Sequence, residues 1–141
     1  MLPVVRIMVG LGSILTHLPG VRAVSWLPAA TWMDPILFAR MAEQWLGGGA
    51  FPALGLTALE RRRDGTVESS GLAFFIGREC RFAPGLTESP TATAKLAVRV
   101  IHALVEGPPV TVPTPLTGPE GEELIARPGA QDCWIHIEPA G

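Results

Sequence analysis

Apolar residues are densest between residues 72 and 76, where they occupy every position. In a strand, successive side chains point to opposite faces, so both faces of this segment would be apolar. Such a pattern favours a strand that is covered on both sides or central in a sheet. The segment therefore predicts a buried strand, with one face formed by Leu72, Phe74 and Ile76 and the other by Ala73 and Phe75.

Two turn signals flank this strand. Asp64-Gly65 lies between two strand-like runs and is a strong hairpin signal, because glycine accepts a positive φ. Gly77-Arg78 offers a second tight turn, and after it polar residues alternate with Cys80 and Phe82, as in a strand with one exposed face. Together these features predict a three-strand antiparallel meander over about residues 51–83.

Three stretches show the periodicity of helices. The first covers residues 2–18, and each of the others begins with a capping residue followed by proline, at Asp34-Pro35 and at Ser89-Pro90. We expect the apolar stripe of the first helix to face the core; it consists of Val4, Ile7, Met8, Leu11, Ile14, Leu15 and Leu18. The stripe of the third helix consists of Leu96, Ala97, Val100, Ile101, Leu104 and Val105.

The remaining segments predict shorter elements. Alternation over residues 21–26 predicts a short strand, and residues 124–126 and 134–137 predict two more near the end of the chain. Residues 108–121 contain five prolines, a density that excludes a central strand because proline cannot donate to a sheet ladder. This Pro-rich loop is expected to lie on the surface.

These elements predict an α+β, two-layer fold in a single domain, residues 1–141. A mostly antiparallel sheet would contain the central β-meander (about 51–83) and the strand at residues 21–26, with three helices packed mainly on one face. A chain of this length buries roughly two thirds of its unfolded surface. The expected core contains Leu72, Phe74, Phe82, Leu96, Val100 and Leu104.

Composition and charge exclude some functions. Charged residues make up 17% of the chain and apolar residues 48%, whereas an ordinary domain carries about 25% charged residues. The net charge of −2 gives no electrostatic basis for binding nucleic acid. The one basic run, Arg61-Arg62-Arg63, lies beside the Asp64-Gly65 turn and is best explained as a solvated hairpin tip.

The apolar N-terminal stretch and the cysteines bear on location. Residues 2–18 are interrupted by Arg6 and His17 and are too short for a membrane span, and no good signal-peptide cleavage site follows them. The sequence therefore predicts no membrane association and a cytoplasmic location. Cys80 and Cys133 do not make a disulfide framework; a bridge between them is possible but has no support in the sequence.

Residues 18–24, 32–35 and 71–79, together with the helix that follows them, resemble an uncharacterised bacterial domain-of-unknown-function family. Members of that family carry a Gly-Leu-x-x-Phe-x-Gly-x-Glu core followed by such a helix, and the resemblance covers about residues 4–110. This chain departs from the family after the helix, where residues 107–110 replace an Asp-Gly-Asp-Thr type of turn. The resemblance implies a shared fold and implies no reaction.

Few residues are candidates for chemistry. Glu79 follows a turn beside an aromatic segment, where a carboxylate can act as acid or base, but its neighbours Arg78 and Arg81 suggest a simple ion pair. Arg78 and His102 are weaker catalytic candidates, and His102 precedes Glu106 by four residues, so the two are expected to pair on a helix surface.

Metal and cofactor sites are not indicated by the sequence. Cys133-x-x-His136 resembles half of a metal site, but positions three apart in a strand point to opposite faces, and no second pair follows. We therefore predict no metal and no cofactor, and the sequence identifies no small-molecule ligand.

These observations favour a non-enzymatic binding or assembly module of the bacterial cytoplasm. The alternative hypothesis is a small hydrolase or transferase with a site near Arg78, Glu79 and the Pro-rich loop 108–121. Because the sheet face that carries Phe75 and Ala73 is too apolar for water, we predict a homodimer that buries it. The Pro-rich loop is the alternative cover for that face.

Overall fold

A computed structural model describes residues 2–141, which form an α+β fold. The helices are α1 (Leu2–Leu15), α2 (Pro35–Leu46), α3 (Ala53–Leu56), α4 (Ala73–Ile76) and α5 (Pro90–Glu106). The strands are β1 (Val24–Trp26), β2 (Thr31–Met33), β3 (Ala58–Arg61), β4 (Val67–Ser70), β5 (Glu79–Phe82), β6 (Thr114–Thr117), β7 (Glu123–Pro128) and β8 (Trp134–Pro139).

Six strands form the main sheet in the order β3-β4-β5-β8-β7-β6. Every neighbouring pair is antiparallel except β5 and β8, which run parallel with Cys80 opposite Ile135. The last strand of the chain therefore lies in the middle of the sheet and joins β3, β4 and β5 to β7 and β6. This parallel pairing is not visible in the local sequence.

The predicted meander is confirmed as β3, β4 and β5, and the hairpin turn lies where Asp64-Gly65 indicates. The Thr66 amide donates to the Asp64 side chain at 2.9 Å, and the Arg62 amide donates to the Thr66 carbonyl at 2.7 Å. Gly65 has φ +89°, a conformation that glycine adopts without a Cβ clash. The meander begins at Ala58, however, because residues 53–56 form α3 and not the start of a strand.

The buried strand predicted over residues 72–76 is wrong. This segment is the single helical turn α4, which connects β4 to β5. Gly71 and Gly77 have φ values of +87° and +79°, so the chain turns sharply on either side of the apolar run. As a result Phe74 is 37% exposed and is not a core residue. The other five predicted core residues are buried, and they are Leu72, Phe82, Leu96, Val100 and Leu104.

The caps of α2 and α5 are confirmed. The Asp34 side chain accepts from the amides of Ile36 and Leu37 at 2.8 and 3.2 Å, and the Ser89 hydroxyl accepts from the Ala92 amide at 3.1 Å. All six residues of the predicted α5 stripe are buried. They share one hydrophobic core with the sheet residues Cys80, Phe82, Leu124, Ala126, Ile135 and Ile137.

Helix α1 forms as predicted, but the expected direction of its apolar stripe is wrong. All seven stripe residues are exposed, whereas Val5, Val9 and Ser13 are buried. The buried side packs on α2, and small residues permit the close approach: a Cβ on Gly12 would lie 3.2 Å from the Phe38 ring. Because α1 is apolar around most of its circumference, its periodicity does not distinguish the inward side from the outward side.

Two other predictions need correction or refinement. The strand expected at residues 21–26 is not part of the main sheet, because β1 pairs only with β2 in a separate two-stranded sheet. In the Pro-rich loop, residues 114–117 form β6, which contains Pro115 and lies at the edge of the main sheet. Proline is tolerated there because an edge strand has one unpaired side.

The sheet face opposite the core is polar. Glu68 accepts from Arg62 Nε at 2.6 Å and pairs with Arg81 Nη2 at 2.8 Å, and Arg81 lies over the Trp134 ring at 4.3 Å from its centroid. The hydrogen bond from Arg62, with a smaller contribution from Arg81, holds the pKa of Glu68 below its usual value. Among the described residues, the open apolar sheet face that was expected to carry Phe75 and Ala73 is therefore not present.

Candidate functional site

Glu79, the leading catalytic candidate from the sequence, binds the backbone amides at the start of the helical turn α4. One carboxylate oxygen accepts from the Ser69 hydroxyl and from the Leu72 amide at 3.2 Å, and the other accepts from the Ala73 amide at 3.1 Å. Ser69 Oγ in turn accepts from the Cys80 amide at 2.8 Å. The carboxylate thus satisfies the N–H groups at the start of the turn, as a capping side chain does in a longer helix.

The ion pair expected between Glu79 and its arginine neighbours is wrong. Its carboxylate faces back to β4 and α4, while Arg81 pairs with Glu68 on the polar face of the sheet. A general base needs an oxygen free to reach a substrate proton. Because both oxygens of Glu79 bind groups of the protein itself, the geometry assigns this residue a structural role.

The substitution Glu79→Gln tests that structural role. The glutamine side chain would place its NH2 group against a backbone N–H that now donates to a carboxylate oxygen, so we expect a loss of about 1–3 kcal/mol in the free energy of unfolding. Urea denaturation measures this loss. The same change at the exposed Glu106 is the control, with an expected effect below about 0.5 kcal/mol. Equal losses in the two variants would contradict the assignment.

Arg78, the residue between the turn and β5, borders a cavity of about 390 Å³. The cavity lies between α4, the end of α5 and the start of the Pro-rich loop, and Ile135 of β8 also lines it. The lining residues are Phe75, Ile76, Arg78, Leu104, Val105, Gly107, Pro109, Val110, Thr111 and Ile135. The structure therefore brings Arg78 together with the Pro-rich loop, as the alternative hypothesis predicted.

His102 lies elsewhere, on the outer side of α5. Its Nδ1 accepts a hydrogen bond of 3.1 Å from the Phe51 amide, so the expected pairing with Glu106 is wrong. With Nδ1 as acceptor, the neutral ring carries its proton on Nε2. The ring also borders a shallow groove with Leu54 and Val98, which is separate from the Arg78 cavity.

Cys133 and His136 do not face each other as ligands. His136 Nε2 lies 3.3 Å from Asp132 Oδ2, and Cys133 is exposed in the turn that precedes β8. Cys80 is fully buried, and burial raises the pKa of its thiol to about 12. Both cysteines are free thiols, and that of Cys80 is unreactive because it stays protonated.

Phe75 and Ala73, the predicted interface residues, lie in α4 and are half-buried. The Phe75 ring stacks on Trp26 at a centroid distance of 6.0 Å and meets Phe51 edge-on at 5.0 Å. Phe74 completes the group, 5.3 Å from both Trp26 and Phe75. Phe75 is thus partly covered by aromatic rings of its own chain. The contact predicted at these two residues stays a prediction.

An extended apolar surface lies along α1, which we call the α1 face. It consists of Val4, Ile7, Met8, Leu11, Ile14 and Leu15 of α1 and of Leu18 in the turn after the helix, all at least 47% exposed. None of these residues is charged. The only charged residue of the helix, Arg6, lies over the Trp45 ring at 4.9 Å and donates to carbonyls at the end of α2.

Sequence reasoning found these seven residues but assigned them to the core. The sequence did contain an indication of which side of α1 faces the protein. Glycine or serine occupies positions 10, 12 and 13, away from the exposed stripe, and such small residues favour close helix packing. Within residues 2–141, no helix combines the length and the apolar character needed to cross a bilayer.

Comparisons with protein-family models, with curated proteins and with solved structures give no match for this chain. The resemblance to the uncharacterised bacterial family therefore stays a prediction.

Proposed function

We propose that this protein is a non-enzymatic assembly module of the bacterial cytoplasm and that two copies associate through their α1 faces. The observation that carries the proposal is the exposure of six large apolar side chains on one side of α1, with a seventh, Leu18, in the turn after it. Their exposed fractions correspond to an apolar surface of roughly 700 Å², larger than the largest patch on most monomers.

The size and spacing of the α1 face suit a second copy of the same chain. A standard interface buries about 800 Å² per partner, so the α1 face supplies most of the area that one side requires. Its residues recur with a period of seven, as at Val4 and Leu11 and at Ile7 and Ile14, which is the spacing of the seam between two packed helices. An uncharged apolar stripe is complementary to itself, as a two-fold contact demands.

A lipid surface fits the α1 face less well. Helices that lie on membranes carry lysine and arginine on their polar side, which attract anionic headgroups. The side of α1 opposite its exposed face packs on α2, and Arg6 is bound to the end of that helix. The electrostatic attraction that accompanies such binding is therefore missing here.

Oligomeric state in solution tests the proposal. The double variant Ile7→Glu, Ile14→Glu introduces two carboxylates at the two most exposed positions of the α1 face, at 72% and 69% exposure. Because a carboxylate buried in an apolar contact is costly, we expect the wild type to be a dimer and this variant a monomer of 15.0 kDa. Light scattering coupled to size exclusion at micromolar concentration measures the mass.

The matched control is Val112→Glu, which changes an equally exposed apolar residue (63%) on the Pro-rich loop and should remain dimeric. A wild-type monomer that persists on concentration overturns the proposal, as does a dimer that survives both glutamates. Co-sedimentation of wild-type protein with phosphatidylcholine vesicles, lost in the double variant, would assign the α1 face to lipid instead.

The contact predicted at Phe75 and Ala73 is tested in the same measurement. If Phe75→Glu yields monomer while the α1 variant stays dimeric, the dimer uses the surface around α4 and not the α1 face. We favour the α1 face because Phe75 is already partly covered by Trp26 and Phe51.

The alternative function, a small hydrolase or transferase, is favoured by one observation, the cavity next to Arg78. Hydrolysis or transfer also needs a nucleophile or a general base at the reacting atoms. The side chains that line the cavity include one hydroxyl, that of Thr111, and no carboxylate, histidine or cysteine. The composition of this wall supports binding better than catalysis.

A further inference from the structure

One buried guanidinium nitrogen without a hydrogen-bond partner belongs to Arg78, a residue that lines the cavity beside α4. Nη1 of Arg78 is buried, and within residues 2–141 it has no hydrogen-bond partner. Three other buried side-chain atoms of the described chain also lack partners, on Ser25, Trp26 and Trp45, but those side chains are neutral. Arginine remains protonated in proteins, so this nitrogen carries part of the guanidinium charge without a hydrogen-bond acceptor, although the side chain as a whole is half-buried.

The wall of the cavity does not neutralise this charge. Helix α4 contributes Phe75 and Ile76, and the end of α5 contributes Leu104 and Val105. No carboxylate is among the lining residues, and the carboxylate next in sequence, Glu79, is bound to the amides of α4. The side chains that line the site are thus mostly apolar, and Arg78 is the one cationic group among them.

The geometry points to a binding site for a small organic monocarboxylate. Its carboxylate would pair with the guanidinium of Arg78, which can donate two parallel hydrogen bonds to such a group. Its apolar body would occupy the space between Phe75, Leu104 and Val110, and a volume of about 390 Å³ is in the range of natural small-molecule sites.

The charge balance selects this ligand class. A monocarboxylate brings one negative charge to one guanidinium, so the pair has no net charge. A phosphate dianion would bring a second charge that no lining residue compensates, at a large desolvation cost. A neutral ligand of the same shape would leave the Arg78 charge unpaired, so it should bind more weakly.

The start of the Pro-rich loop gives the cavity a defined outer wall. Pro109 lies directly before the lining residues Val110 and Thr111, and Pro113 follows them. Because proline fixes φ, this wall loses little conformational freedom when a ligand binds. The prolines would in this way select for size as well as hold the loop in place.

Nitrogen-15 NMR titration with benzoate as the probe tests the site. We expect saturable shifts at the amides of Val110, Thr111 and Ile135, which line the cavity. Benzamide, which has the same shape without the charge, should bind at least about tenfold more weakly, and inorganic phosphate should not bind at these residues. The absence of saturable benzoate shifts, equal binding of benzamide, or preferential binding of phosphate would each overturn the assignment.

Variants at Arg78 identify the cationic group. Arg78→Met keeps the length and apolar character of the side chain but removes the charge, so it should abolish the preference for benzoate over benzamide. Arg63→Met, at the exposed hairpin turn, is the control and should bind as the wild type does.

Unchanged benzoate binding in folded Arg78→Met would rule the proposal out. If that variant does not fold, Arg78→Lys keeps the charge and loses the paired donors, so it should weaken benzoate binding. The comparison of benzoate with benzamide in the wild type decides the question even if neither variant folds.

Discussion

Phe51→Ala should lower the free energy of unfolding by about 3–5 kcal/mol, measured by urea denaturation. Phe51 is 1% exposed, although it lies in the connection between α2 and α3 and not in a regular element. Its ring meets Trp45 of α2 edge-on at 5.5 Å and Phe75 of α4 at 5.0 Å. Removing the ring would leave a cavity where the α1–α2 pair joins the rest of the molecule.

Phe74→Ala is the matched control, because it removes the same side chain from a partly exposed site. Phe74 keeps edge-on contacts with Trp26 and Phe75, but 37% of it is exposed, so we expect a loss below about 2 kcal/mol. Equal losses of unfolding free energy in the two variants would mean that Phe51 is not the centre of the aromatic cluster, which consists of Trp26, Trp45, Phe51, Phe74 and Phe75. The order of the two effects is the reverse of what the sequence pattern suggests.

Local patterns predicted the elements whose residues interact with near neighbours in the chain. Asp34 and Ser89 cap their helices within three residues, and the turn at Asp64-Gly65 depends on its own backbone. The alternation in β5 also predicted which of its side chains are buried. In each case a few consecutive residues determine the hydrogen bond or the burial pattern.

The errors occurred where a local pattern has two solutions. Five apolar residues in a row suit a buried strand or a partly buried helical turn, and only the flanking glycines of positive φ decide for the turn at residues 73–76. Helix α1 has an apolar stripe on each side, and the choice between them depends on α2, which packs through Phe38. Tertiary contacts settle both cases.

The Arg78 cavity could be anticipated only in part. The sequence suggested a site near Arg78 and the Pro-rich loop, but the cavity also needs Ile135 of β8 and the end of α5. Those elements meet because β8 pairs in parallel with β5, a contact between distant parts of the chain. The lack of a partner for Arg78 Nη1 is likewise a property of the folded molecule.

The pattern Gly-Leu-x-x-Phe-x-Gly-x-Glu has a structural explanation at each position. Gly71 turns the chain out of β4, Leu72 is fully buried, and Phe75 joins the aromatic cluster. Gly77 ends the helical turn with a positive φ, and Glu79 binds the amides at its beginning. The pattern therefore describes a strand, a helical turn and a strand held by one carboxylate, and it requires no catalysis.

Gly71→Ala should be among the most damaging single substitutions in this chain, with an expected loss of about 3 kcal/mol or more in the free energy of unfolding. Two costs combine at this position. Gly71 has φ +87°, which strains any residue with a Cβ, and that Cβ would lie 2.6 Å from the Cβ of Ala29 and 2.9 Å from its Cα. Ala29 is buried in the turn between β1 and β2, so a shift away from the added Cβ would disturb its packing.

Gly85→Ala separates these two costs, because Gly85 has φ +78° but no atom within 4 Å of an added Cβ. In this variant the free energy of unfolding should fall only by the cost of the positive φ, about 1–2 kcal/mol. The difference between the two variants in urea denaturation therefore measures the contact with Ala29 alone. Similar losses would show that α4 can shift away from Ala29 at little cost. In that case the turn that carries Arg78 and Glu79 would not be held in place by the β1–β2 hairpin.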